Sequence, residues 1–110
     1  MGYIRYSDAQ RYEFDDRTIA HLKVVIASKL RREESFPVSW VYPPDQGSGR
    51  TTIWVSPTLP IEFYVGSSDV GPMNRHWVQA LADTSHGARG LFVMSEAEAE
   101  QAYESGEIIE

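Results

Sequence analysis

A chain of 110 residues has room for one core, and 42% hydrophobic residues with three Trp, six Tyr and four Phe mark it as globular, not disordered. It has no Cys, which excludes disulfides, thiolate metal sites and thiol catalysis, and no apolar run near the about 18–20 residues of a membrane span. The net charge of −6 lies wholly in residues 96–110, which carry six Glu and no base, whereas residues 1–95 hold ten acids and ten bases. Without a basic segment and apolar signal core at its start, the sequence reads as a soluble cytoplasmic protein.

Residues 3–6 and 11–14 are short aromatic, alternating runs that predict a β-hairpin. Residues 16–32, DRTIAHLKVVIASKLRR, then form the one long periodic helix. Ile19, Leu22, Ile26 and Leu30 recur at helical spacing on one face, whose burial contributes about 6–12 kcal/mol gross. Asp15 or Asp16 can cap its start, and Lys29, Arg31 and Arg32 suit the negative end of its dipole. Ala20, Val24 and Ala27 form a second, narrower stripe that would admit another helix closely, from the same chain or across a dimer seam. By the same pitch Arg17, His21, Ser28 and Arg32 fall opposite the buried face.

Residues 36–65 read as a three-stranded meander. Phe36, Val38, Trp40 and Tyr42 alternate onto one face, residues 43–49 supply turn chemistry, and residues 51–56 and 61–65 give two further strands joined through Pro57 and Pro60. Pro37 suggests an edge strand or a strand start. Trp40, Tyr42, Trp54 and Tyr64 are expected beneath the helices; exposed on one face, they would instead offer stacking surfaces for bases.

Asn74 can cap a second helix over residues 75–85 with Trp77, Val78 and Leu81 inward, and Gly87 suits a left-handed exit. Residues 90–94 predict a short buried strand. Ser95 and Glu98 then have the spacing of a capping box that opens a helix over residues 96–105. Its apolar side is only Ala99, Ala102 and Tyr103, so mobility is expected. The predicted fold is therefore α+β, in the order ββα-βββ-αβ. Its mainly antiparallel sheet carries two helices on one face, residues 1–95 form a single domain, and residues 96–110 form a short acidic helix or tail.

No residue pattern supports catalysis. Gly47, Ser48, Gly49, Arg50 and Thr51 lack the first Gly and the Lys of a phosphate loop and precede a strand. His21, His76 and His86 share no ligand spacing, which implies no metal site, and nothing implies a cofactor. The distinctive feature is charge segregation. Arg17, Lys23, Lys29, Arg31 and Arg32, with Arg50, could contact phosphates non-specifically or receive the acidic tail, Glu96, Glu98, Glu100, Glu104, Glu107 and Glu110, with Ile108 and Ile109 as an apolar anchor.

One set of landmarks has the look of a family. Met1 and Gly2 lead into Tyr6; the run AHLKVVIASKLRR at residues 20–32 is followed by Glu34, Ser35 and Phe36, then Ser39 and Trp40; Ile53 to Pro57, Asn74 to Trp77, and Gly90 with Leu91 come later. Over residues 1–95 this resembles a small group of uncharacterised actinobacterial proteins commonly labelled ATP-dependent DNA ligases. The resemblance brings no catalytic motif with it. Adenylating ligases need a nucleophilic Lys before x-Asp/Asn-Gly, whereas Lys23 precedes Val-Val-Ile and Lys29 precedes Leu-Arg-Arg. The expected function is a non-enzymatic binding or adaptor module acting through protein–protein contacts, including self-association. The alternative is an accessory DNA- or RNA-binding protein that uses the basic helix under control of the tail, and a small enzyme comes last.

Overall fold

The computed structural model describes residues 1–7, 10–42, 47, 49–87 and 90–104. In chain order these form β1 (Gly2–Tyr6), β2 (Arg11–Phe14), α1 (Asp16–Arg31), β3 (Phe36–Val41), β4 (Arg50–Val55), β5 (Ile61–Tyr64), α2 (Arg75–Thr84), β6 (Leu91–Phe92) and α3 (Glu96–Glu104). The fold is α+β, with two three-stranded sheets ordered β2-β1-β5 and β4-β3-β6. Every pairing is antiparallel except β3 with β6.

The single sheet and its meander are thus corrected. β3 and β4 pair as expected, but β5 leaves them and pairs with β1, Tyr3 opposite Tyr64. The reason lies in the connection. Pro57 and Pro60 cannot extend a ladder, a turn closes from the Leu59 N–H to the Ser56 carbonyl, and the Tyr6 hydroxyl accepts the Ser56 N–H at 3.1 Å. The chain is handed to the other sheet there, where the Ser7 N–H meets the Pro60 carbonyl at 2.7 Å.

The two sheets meet through their apolar sides. Ile4, Tyr12, Phe14, Ile61 and Phe63 turn inward from the first sheet, and Phe36, Val38, Trp40, Ile53 and Val55 from the second. The rings of Tyr12 and Phe14 stand edge-on to Trp40, with centroids 5.1 and 5.2 Å away. α1 seals this core: Ile19, Leu22 and Ile26 are buried as the periodicity requires, Val25 joins them and Leu30 is half-buried. From α2, Trp77 and Leu81 complete it.

The helix ends follow local chemistry. Asp15 accepts from the Thr18 N–H, Asn74 from the N–H groups of His76 and Trp77, and Ser95 and Glu98 exchange both bonds of a capping box. α3, expected to be mobile, is docked through buried Ala99. The left-handed glycine after α2 is Gly90 (φ +73°), not Gly87. A side chain at Gly90 would strike Pro37, so only glycine lets β6 lie beside β3. Pro37 itself stands on the central strand of its sheet, not at an edge. Its missing N–H costs no ladder bond because β6 begins opposite Val38, one residue later.

Candidate interaction surface

The basic helix does not present its charges as one free stripe. Arg17 grips Glu96 through two hydrogen bonds, Nε to Oε1 at 2.9 Å and Nη2 to Oε2 at 2.7 Å, and its Nη1 donates to the carbonyls of Val70 and Pro72. The Asn74 side-chain amide joins Glu96 (2.8 Å) to Glu100 (2.9 Å), and Glu100 reaches His76 Nδ1 at 3.2 Å. The His76 ring stacks on Tyr103, 3.7 Å between centroids. One guanidinium and one amide therefore tie α1, the loop before α2, and α3 together. Arg17 and Asn74 hold the Glu96 carboxyl at about 2, well below its ordinary value, and Glu96 in turn raises the Arg17 guanidinium.

His21 is corrected outright: it is buried, not opposite the buried face. Its ring stacks on Trp77 at 4.3 Å, Nδ1 lies 2.8 Å from the Arg17 carbonyl, and Nε2 accepts the Asn74 N–H at 2.9 Å. A ring nitrogen beside a carbonyl must donate and one beside an N–H must accept, so the pair selects the neutral Nδ1–H tautomer. Helical pitch alone misplaces this residue because α2 widens the buried arc of α1 beyond its apolar stripe.

At the other end of α1, Lys29 is only 7% exposed. Its Nζ meets Glu34 Oε1 at 2.8 Å and lies over the Phe36 ring, while Arg32 Nε meets Glu34 Oε2 at 3.0 Å. Lys29, then Arg32 and His86, keep the Glu34 carboxyl below its ordinary value. Of the six cations expected to contact phosphate, Arg17, Lys29 and Arg32 are thus engaged within the chain. Lys23, Arg31 and Arg50 are exposed and have no ion-pair partner among the described residues.

The stripe of Ala20, Val24 and Ala27 is divided. Ala20 is buried, Ala27 half-buried, and Val24, 42% exposed, lines an open cleft of about 260 Å³ between α1 and α2 with Val25, Ser28, Val78 and Ala82. Of the acidic tail, Glu96 and Glu100 lie in the Arg17–Asn74 joint, Glu98 closes its cap, and Glu104 is exposed at the end of α3. Glu107 and Glu110, with Ile108 and Ile109, lie outside the described residues, as do residues 43–46 and 48 of the loop before β4. Among the described residues, no group of three His, Asp or Glu is arranged to hold a metal ion, and no helix is long and apolar enough to cross a membrane.

The expected aromatic core divides as well. Trp40 is buried and Tyr42 half-buried, but Tyr64 faces solvent and stacks on Tyr3 at 5.0 Å, with Arg11 over the Tyr3 ring. Trp54, 60% exposed, is the outlier. It stands on β4, an edge strand, with Arg50 and Thr52 on the same outward face and Val41 exposed on the neighbouring strand. The alternation of Arg50, Thr52 and Trp54 against Ile53 and Val55 carries that signal in the sequence. It remains ambiguous until one knows which face is covered.

A profile for the domain of unknown function DUF7882 matches residues 1–96. No curated protein and no solved structure matches the chain. The match runs from the first strand to the opening residue of α3 and takes in both sheets, α1 and α2. The chain therefore belongs to the DUF7882 family.

Proposed function

We propose that this domain is a non-enzymatic cytoplasmic binding module that acts through protein–protein contacts. One observation carries the reading: an indole 60% exposed on an edge strand, beside exposed Val41, in a chain whose other two Trp are buried. Large exposed aromatics are enriched where proteins meet, and edge strands present unpaired backbone groups. The test is photo-crosslinking in cells with benzoylphenylalanine in place of Trp54, and in place of Lys23 as control. A discrete adduct specific to position 54 is expected. Its absence, or equal labelling at both positions, overturns the proposal.

A nucleic-acid reading, suggested also by the likeness to proteins labelled as DNA ligases, rests on Lys23, Arg31 and Arg50. It is weakened by the internal engagement of Arg17, Lys29 and Arg32. With three cations, the logarithm of affinity should fall with that of salt at a slope of about −3 or shallower. Anisotropy of labelled duplex and single strands over a salt series measures it, and no binding at low salt removes the reading. Ligation is not part of either: Lys23 and Lys29 lie inside α1, and Lys29 is bonded to Glu34.

A further inference from the structure

We propose that β4 pairs antiparallel with β4 of a second copy of this chain, about a two-fold axis at Thr52, joining two three-stranded sheets into one of six strands. This rests on the protein-binding reading and names the partner.

The phase of the ladder supplies the first argument. The Gly49 carbonyl accepts the Tyr42 N–H at 2.8 Å, in register with the β3–β4 pairing. Antiparallel strands turn the backbone groups of alternate residues to the same side, so Gly49, Thr51, Ile53 and Val55 face β3. Arg50, Thr52 and Trp54 face the open edge. The same phase follows from β3, where the Ser39 carbonyl, opposite Thr52, accepts from Val93 on the side away from β4. Three N–H and three C=O groups therefore point outward with no partner among the described residues.

The second argument fixes the register. With Thr52 opposite the partner's Thr52, and Arg50 opposite the partner's Trp54, every one of those groups is bonded. Sliding by two residues in one direction places Arg50 against the partner's Ser56. The Ser56 N–H is already given to Tyr6 and its carbonyl already accepts from Leu59. Sliding the other way carries Trp54 past the start of the strand at Arg50.

Side chains agree with this register. Arg50, Thr52 and Trp54 share one face, so each guanidinium comes beside the partner's indole and the two Thr52 side chains meet at the axis. The two Arg50 charges stand about 14 Å apart, beyond the screening length at physiological salt. Edge strands are ordinarily guarded by charge or Pro. β2 carries Arg11 and Glu13 and β5 carries Glu62, but residues 51–55 hold no charge and no Pro.

Sedimentation velocity of the full chain across concentration should show a monomer passing to a dimer. Thr52→Pro removes an N–H that β3 does not use and, of the contacts to β3, gives up the hydroxyl bond to Ser39 Oγ at 2.9 Å, so it should leave a folded monomer by circular dichroism. The Cys-free chain makes Thr52→Cys a single thiol, about 5.5 Å between Cα atoms across the axis, a span a disulfide can bridge. Under diamide it should form a covalent dimer at least about tenfold faster than Lys23→Cys, since pairing raises effective concentration.

A strict monomer at every concentration, with Thr52→Cys linking no faster than Lys23→Cys, overturns the self-pairing. A position-54 adduct to a different protein would then leave the binding reading standing. A dimer that survives Thr52→Pro without linking at Thr52→Cys also overturns it and moves the seam elsewhere, the Val24 side of α1 first. Should Thr52→Pro unfold the chain, the rate at Thr52→Cys decides.

Discussion

Two regions treat their polar groups in opposite ways. Where α1, α2 and α3 converge, Arg17, His21, Asn74, Glu96 and Glu100 satisfy one another and neighbouring carbonyls. Along β4, the outward backbone groups have no partner among the described residues and an indole is exposed. Half of the cations that look like a binding surface in the sequence, Arg17, Lys29 and Arg32, are paired within the chain, whereas β4 keeps outward backbone groups with no partner among the described residues.

The largest contrast should come from two residues of one type. Trp77→Ala empties a buried site and breaks the bond from Nε1 to the Met94 carbonyl, so it should cost about 3–5 kcal/mol in urea unfolding. Trp54→Ala should stay within about 0.5 kcal/mol at concentrations where the chain is monomeric. Comparable losses at both would erase the distinction between the regions.

His21→Phe comes next. It keeps a ring over Trp77 but leaves the Asn74 N–H without its acceptor, while the Arg17 carbonyl loses only its side-chain donor and keeps its bond within α1, a loss of about 1–3 kcal/mol by the same measurement. Native-like stability in that variant would show that the stack, not the hydrogen bonds, joins α1 to α2.

A smaller, pH-dependent effect belongs to Glu96. Its carboxyl is depressed to about 2 in the folded protein from an ordinary 4.5. Its contribution is therefore complete above the unfolded value and is lost as pH falls from about 4.5 toward 2. Urea midpoints of wild type and Glu96→Gln should differ at pH 7 and converge through that window. A difference that persists at pH 2 would mean that the joint does not depend on the carboxylate. Lys23→Ala, at an exposed position without an ion-pair partner among the described residues, should change stability by less than about 0.5 kcal/mol.

Sequence reading went furthest where the physics is local. Helical spacing identified Ile19, Leu22 and Ile26, and capping chemistry located Asn74 and Ser95 with Glu98 and narrowed the first cap to Asp15 or Asp16, of which the structure uses Asp15. Alternation put Phe36, Val38 and Trp40 on one face, because successive strand side chains must point oppositely. It failed where a distant segment decides. His21 sits at a position that pitch alone assigns to solvent, and only α2 lying against α1 buries it. Arg17 and Glu96 are 79 residues apart, and nothing local to either marks the other as its partner.

What the sequence determined by itself was the inventory: an α+β fold, its elements in order, most of their ends, and the apolar side of most of them. The pairings of neighbours in the chain, β1 with β2 and β3 with β4, were legible as well, but which strands join across longer gaps was decided in three dimensions. Backbone donors and acceptors are the same for nearly every residue, so β5 could extend either sheet until the turn at Pro57 and Pro60 and the inner faces of both sheets chose β1. The same tertiary choice left β4 with one neighbouring strand, β3, among the described residues. An edge is a property of the assembled sheet, and no residue in the strand encodes it alone.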